Sequence, residues 1–285
     1  MMQCDMLRTI KRFARVVLMV NFRSRARLWL RILKRLKGTT IKFRVGLMLS
    51  AIADTTIFSF NPNLAISPKS HFSGEVKSIE YGCSWAIRKG TDDIYNILPH
   101  REGDVNELIC STLEPGNVFI DVGANIGYYT IIASQIVGAA GRVIAFEPMP
   151  KTFYYLENNC KLNYLKNVIA IPKAAWSNES TKSLLFSGGY YGMASLTKSE
   201  GHPVSIMTVP LDKVCEPYSN IKMIKIDAEG SEHQILRGAK TTLKRTQYLV
   251  LECSEECDKI TALLQENGFT IRKLAFTTYV LAERR

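Results

Sequence analysis

The chain has 285 residues, room for one large domain with appendages or for two small ones, and 46% of them are hydrophobic, ample for a packed core. Nothing in it reads as collagen-like or low-complexity. The net charge of +11 is uneven: residues 1–50 hold 13 lysines or arginines and one acid, Asp5, while the remainder holds 24 basic and 25 acidic residues. A neutral body with a basic arm argues against a protein that grips nucleic acid over its whole surface.

Within the arm, Arg27 to Lys37 carries a helical pattern. Leu28, Trp29, Ile32, Leu33 and Leu36 share one face, and Arg27, Arg31 and Lys34 gather opposite. A helix lying in a membrane interface has this pattern. So do a nucleic-acid arm and an amphipathic helix that packs on its own body. Ala14 to Phe22 is broken by Arg15 and Val45 to Ala53 is short, so neither reaches the roughly 18 apolar residues of a spanning helix. No small-residue cleavage site follows to support a secretory signal, while the arginine-rich start also suits an organellar transit peptide. Asn61-Pro62-Asn63 and Ser67-Pro68 mark a connector. The expected division is therefore an arm, 1–60, and a body, 61–285.

Lys77–Tyr81 and Ser84–Arg88 read as strands joined at Gly82, a hairpin flanking the main sheet. A helix follows over Val105–Leu113, with Asp104 as cap and Glu107 in capping-box register. Pro115-Gly116 ends it. Val118 to Val122 is then a β-branched and aromatic strand stopping at Gly123, and Tyr129, Ile132, Ala133 and Ile136 begin a helix after Gly127. Strand, glycine turn and helix start bring bare backbone up to a nucleoside-bearing ligand. Dinucleotide loops spell G-x-G-x-x-G. Here the spelling is D-x-G-x-x-x-G, with Ala124 and Asn125 between the glycines, which disfavours a diphosphate and with it a nicotinamide oxidoreductase. Asp121 would fix the loop or hold the ligand's amino group. A second strand, 143–147, ends in Glu147 before Pro148, and a carboxylate there accepts from both ribose hydroxyls. The combination points to S-adenosylmethionine.

Helix 151–163 and strand 168–172 follow. Lys173-Ala-Ala-Trp176 then offers Ala174 and Ala175 as small residues whose backbone could read an adenine edge. Two β-rich stretches, Lys182–Phe186 and Val204–Val209, flank Gly188-Gly-Tyr-Tyr-Gly192, whose tyrosines would line an acceptor pocket. Strand Met223–Ile226 leads to Asp227, helix 232–243 follows, and strand Tyr248–Leu251 leads to Glu252. A helix over 256–266 precedes Phe269–Phe276 and Thr278–Ala282, read as an antiparallel pair. Such alternation predicts an α/β fold, an open, mostly parallel sheet with a C-terminal antiparallel hairpin and the site along one edge.

Asp121-Val-Gly-Ala-Asn-Ile-Gly127, Phe146-Glu-Pro148, Pro210-Leu-Asp212, Lys225-Ile-Asp-Ala-Glu-Gly-Ser-Glu232, Leu236-Arg-Gly-Ala239 and Leu251-Glu252 stand in the order of the FkbM methyltransferases, which the chain resembles from about Gly82 to Glu256. The resemblance implies a class I Rossmann-like methyltransferase that uses S-adenosylmethionine. Its cofactor residues would be Asp121, Gly123, Ala124, Asn125, Gly127, Glu147, Pro148, Ala174, Ala175 and Asp227. Its acceptors would be hydroxyls of glycans, lipid-linked glycans or secondary metabolites. An alcohol must lose a proton as it attacks, and Asp227, Glu229 and Glu252 are the catalytic candidates. They could also hold sugar hydroxyls or a divalent cation, while Glu229 and Glu232 could simply cap the next helix. His233 reads as a base or a surface residue, and His100, Arg101 and Glu102 as a lid over cofactor or acceptor. An RNA methyltransferase using the basic arm is the alternative. No metal site is assigned: Cys253 and Cys257 lack a second pair, and the seven cysteines read mostly as core thiols of a reducing compartment. The expected location is cytoplasmic, peripheral at a membrane surface.

Overall fold

The structure, a computed structural model, describes residues 21–61, 67–99, 101–186, 202–253, 256–274 and 278–284. It divides into two compact units between Leu98 and Pro99.

In the first unit residues 21–35 form helix α1, followed by β1 (Leu36–Gly38) and α2 (Ile41–Phe60). Thr40 caps α2, its hydroxyl accepting from the Phe43 N–H at 3.2 Å. β2 (Gly74–Ser78) and β3 (Ser84–Ile87) make the expected hairpin. Its partner differs from the expectation: β2 pairs with β1 of the arm, and the three strands form a sheet of their own. A boundary after residue 60 would separate β1 from the hairpin it pairs with, which is why the compact unit runs on to Leu98. The short helix α3 (Asp93–Asn96) ends the unit, with Arg88 forking onto Asp93 at 2.8 and 2.6 Å.

The arm's apolar face is consumed inside this unit. Trp29, Ile32 and Leu36 are buried, and Leu36 has already left the helix for β1. The Trp29 indole N–H donates to Asp54 at 2.6 Å, and Arg25 donates to both oxygens of the same carboxylate at 2.6 and 3.0 Å. α2 is one unbroken helix of 20 residues, long and apolar enough by length and composition to cross a membrane. The apolar run Val45–Ala53, too short by itself to span, is the middle of this longer helix, which runs through Lys42, Arg44 and Asp54.

The second unit opens with α4 (Gly103–Thr112). Its N-cap is Glu102 rather than Asp104, and no side chain makes a capping bond. Then come β4 (Val118–Val122), α5 (Tyr128–Val137), β5 (Arg142–Phe146), α6 (Pro150–Leu162) and β6 (Val168–Ile171). A small sheet of β7 (Ala174–Ala175), β8 (Thr181–Phe186) and β9 (His202–Val209) follows, ordered β7-β9-β8. The chain continues through α7 (Leu211–Val214), β10 (Ile221–Ile226), α8 (Glu232–Arg237), α9 (Lys240–Lys244), β11 (Thr246–Glu252), α10 (Cys257–Glu266), β12 (Phe269–Lys273) and β13 (Tyr279–Arg284). The single helix expected over 232–243 is two, parting at Gly238, where a Cβ would sit 2.1 Å from the Trp176 carbonyl oxygen. The tyrosines of 188–192 lie outside the described residues, as does His100.

Among the described residues the main sheet has seven strands in the order β12-β13-β11-β10-β4-β5-β6. β10, β11, β4, β5 and β6 run parallel, and β13 is antiparallel to both its neighbours. Alternation along each strand sorts the core into two layers. Phe119, Val143, Met223, Val250 and Leu281 pack against Val105 and Ile109 of α4 and Ala133 and Val137 of α5. Ile120, Ile144, Ile224, Leu249 and Val280 face Ile235, Leu243, Ile260 and Leu264 of α8, α9 and α10. β4 sits where the strand order reverses, between β5 and β10. The crevice outside the carboxyl ends of those strands is where an open α/β sheet binds its ligand.

Cys253 and Cys257 form a disulfide, their Cα atoms 5.4 Å apart. Cys83, Cys160 and Cys215 are buried thiols, in line with the reading as core residues.

Candidate active site

The loop after β4 is fixed from both sides. Phe146 of β5 accepts through its carbonyl from the N–H groups of Gly123 and Ala124, at 3.1 and 3.0 Å. Gly123 has φ 79°, and a Cβ on it would lie 1.8 Å from the carbonyl oxygen of Asp227, so only glycine lets β4 and β10 close here. Gly127, with φ 92°, brings the start of α5 against Leu156 of α6, where a Cβ would meet a methyl at 2.7 Å. Asn125 itself takes φ 50°, a left-handed conformation that asparagine tolerates better than most residues.

Glu147 spans the mouth of this loop. One carboxylate oxygen accepts from the Asn125 N–H at 2.9 Å and the other from the Met149 N–H at 3.0 Å. A carboxylate at the end of this strand is the acceptor that a pair of ribose hydroxyls calls for. Pro148, half-buried, follows before α6 begins. Asp121 is buried under the loop and accepts from the Thr130 hydroxyl at 2.6 Å through one oxygen. Its other oxygen, also buried, has no hydrogen-bond partner among the described residues, the kind of acceptor an α-ammonium group would satisfy. Burial pushes Asp121 up, opposed by the nearby Lys225 ammonium. Ala174 and Ala175 are buried in β7 and pair with Thr208 and Val209 of β9, so they belong to the small sheet and not to a continuation of β6. The glycine cradle, the orphaned Asp121 oxygen and Glu147 together fit S-adenosylmethionine.

Beside this half lies an ionic cluster. Asp227, at the end of β10, accepts on one oxygen from the Tyr279 hydroxyl at 2.6 Å and from the Lys225 ammonium at 3.3 Å. Lys225 is buried, on the same face as Asp121 opposite it on β4. Its ammonium lies 5.1 Å from the ring centre of Tyr129, whose hydroxyl donates to Glu102 at 2.9 Å. Arg101 pairs with Glu102. Burial would raise Asp227, but Lys225, Tyr279 and Arg101 outweigh it and hold the carboxyl below its usual range. Lys225 is itself pushed up, since Asp227, Asp121 and Glu102 overcome the desolvation that would discharge it.

Glu252 stands one strand further on, next to Asp227 because β10 and β11 pair with Ile226 opposite Leu251. It accepts from the Thr278 hydroxyl at 2.9 Å. Burial and the negative charge of Asp227 push it up to about 6, only partly countered by Thr278. The register of β11 with β13 sets Tyr279 opposite Glu252.

The remaining candidates separate. Glu229 sits half-buried in the loop after β10, at φ 51°. Glu232, buried at the start of α8, turns back to accept from the N–H groups of Ala228 and Gly230 at 3.0 and 3.3 Å, which braces that loop. The ring nitrogen Nδ1 of His233 pairs with Glu256 at 3.0 Å. Among the described residues no group of three or more His, Cys, Asp and Glu side chains is placed to hold a metal ion. Sequence reasoning passed over Lys225, Tyr129 and Tyr279. Lys225 left a signal, a cation in the otherwise apolar end of the strand Ile221–Ile226, two residues before Asp227. Tyr279 left none, because its place depends on the pairing of β13.

A glycine loop at the strand-order switch, an acid at the end of the next strand and carboxylates at the ends of β10 and β11 define a methyltransferase of the class I, S-adenosylmethionine-dependent type. The model of the FkbM methyltransferase domain matches residues 121–271. The chain belongs to that family. It is 29% identical over 187 residues to the hexuronic acid methyltransferase AglP of Haloferax volcanii, covering 62% of this chain and 74% of that protein. It is 27% identical over 195 residues to the 31-O-demethyl-FK506 methyltransferase FkbM of Streptomyces tacrolimicus, covering 56% and 75%. Among solved structures, the precorrin-6y C5,15-methyltransferase of Geobacter metallireducens aligns at 15% identity with a TM-score of 0.42, covering 64% of this chain and 88% of that one. That likeness is too distant to bear on substrate.

Proposed function

We propose that the chain methylates a hydroxyl oxygen of a carbohydrate, with sugar acids and lipid-linked glycans as the substrate class, and that Glu252 takes the hydroxyl proton. When bound, S-adenosylmethionine supplies an electrophilic methyl group on a positively charged sulfur. The observation that carries the reading is the pair Asp227 and Glu252, side by side on neighbouring strands with opposed affinities for protons. Asp227, held anionic, accepts a hydrogen bond from the acceptor hydroxyl and orients it. Glu252 titrates near 6, close enough to neutral pH to take the proton as the oxygen attacks. Support for a sugar comes from the relative named for a hexuronic acid, and support for an oxygen acceptor from the relative named for a 31-O position.

The test is incubation with S-adenosylmethionine and oligosaccharides bearing a hexuronic acid, read by mass spectrometry for the gain of one methylene unit. Fragmentation should place the methyl on a ring hydroxyl. Placement on nitrogen or on the carboxylate would overturn the proposal.

A further inference from the structure

α2 is built inside out. Its buried side holds Ser50 and Asp54 beside Phe43, Gly46 and Leu47. Its outward side holds Ile41 (79% exposed), Ile52 (66%) and Phe60 (75%), with Val45, Met48 and Leu49 also exposed. At 3.6 residues per turn these six fall in one stripe about 120° wide. Water sorts a helix the other way, apolar side in.

The orientation is fixed by satisfied polar groups. Asp54 is locked by Arg25 and Trp29, and the Ser50 hydroxyl donates to the Gly46 carbonyl at 2.8 Å while accepting from the His71 N–H at 2.9 Å. Rotating the stripe inward would strand the Asp54 carboxylate away from Arg25, a cost of the kind that breaking any buried ion pair carries. The apolar stripe is therefore held outward by the fold, contiguous along the helix and not scattered singly.

Charge says what it meets. Between residues 21 and 60 the sequence has one acid, Asp54, and that acid is buried against Arg25. Arg23, Arg27, Arg31, Lys34, Lys42 and Arg44 are exposed, so every exposed charge along α1 and α2 is positive. An apolar stripe flanked only by cations matches hydrocarbon beneath anionic headgroups. Because α1 occupies the other side of α2 through Trp29 and the Arg25–Asp54 pair, one face alone is available to lipid.

We propose that α2 lies in the plane of an anionic lipid bilayer, its outward stripe sunk among the acyl chains and the cations of α1 and α2 on the headgroups. The face expected for this role on α1 is spent inside the unit, and α2 takes it over.

The full chain is tested by flotation with vesicles of phosphatidylcholine, with and without phosphatidylglycerol. Wild type should float with the anionic vesicles. Met48→Glu with Ile52→Glu, both exposed, should keep the circular dichroism spectrum and lower vesicle affinity by about a hundredfold. Arg27→Gln with Arg31→Gln should lower affinity for the anionic vesicles by roughly tenfold and leave neutral vesicles unaffected. The proposal is overturned if wild type stays at the bottom of the gradient, or if the double glutamate variant floats as well as wild type. It is equally overturned if the chain is a dimer without lipid that the glutamates split, since a second copy would then cover the stripe.

Discussion

At the scale of single residues, the division of labour between Asp227 and Glu252 has a pH signature. A base must be deprotonated to accept a proton, so kcat/KM should fall about tenfold per pH unit below a pKa near 6, the value toward which burial and Asp227 drive Glu252. Glu252→Gln should remove that acid limb and cut turnover by about 10²–10⁴-fold, with binding of the demethylated cofactor unchanged by calorimetry. A variant that keeps both turnover and limb would transfer the role elsewhere. Lys225 is the counterpart. Buried beside Asp227, Asp121 and Glu102, it is the cation that lets these carboxyls stay charged away from water. Lys225→Met should destabilise by about 3–5 kcal/mol in urea unfolding, because the buried carboxylates lose their partner. Both strand-end acids could be placed from the sequence, since each follows an apolar run of strand length. Their opposed proton affinities could not, because Asp227 is held down by Lys225 and by Tyr279, a residue strand pairing brings from 52 positions away, while burial and Asp227 itself push Glu252 up.

At the scale of elements, the glycine loop separates two effects that a glycine substitution usually mixes. Gly116, at φ 88°, has no heavy atom within 4 Å of a built Cβ, so alanine there meets only the left-handed backbone cost, about 1–2 kcal/mol. Gly123 has the same kind of φ but faces the Asp227 carbonyl oxygen at 1.8 Å. Gly123→Ala should therefore cost clearly more than Gly116→Ala and abolish cofactor binding, because β4 and β10 must move apart where the site is built. Differential scanning calorimetry with and without the demethylated cofactor reads both outcomes, and equal losses in the two variants would refute the argument. The strands and helices of this region were legible to within a few residues, because each apolar run is bounded by Gly, Pro or an acid. Periodicity misled where an element's limits are tertiary. The helix over 232–243 breaks at Gly238 because β7 passes there, and α2 continues through its charged residues because Arg25 and Trp29 neutralise and bury Asp54.

At the scale of the whole molecule, the position of the division is itself testable. Pro62 and the basic composition before it mark residue 60 as the seam on sequence grounds. Strand pairing marks another, for β2 joins Leu36, Lys37 and Gly38 of β1 to Ser78, Lys77 and Val76. A fragment beginning at residue 61 keeps the hairpin but loses β1, α1 and α2, so the N–H and C=O groups of β2 that faced β1 become an open edge. It also strips Trp29, Ile32, Phe43 and Leu47 from the unit whose core holds Val76, Trp85 and Ile87. A fragment beginning at Pro99 removes the hairpin as well and retains both core layers of the seven-stranded sheet. The 99–285 fragment should therefore unfold in one cooperative transition and bind the demethylated cofactor, while the 61–285 fragment aggregates or binds a hydrophobic dye. Gel filtration, thermal unfolding and dye fluorescence on the two fragments decide between the seams. A soluble, dye-negative 61–285 fragment beside an unfolded 99–285 fragment would return the boundary to the connector, since the hairpin would then have to be part of what holds the catalytic sheet together.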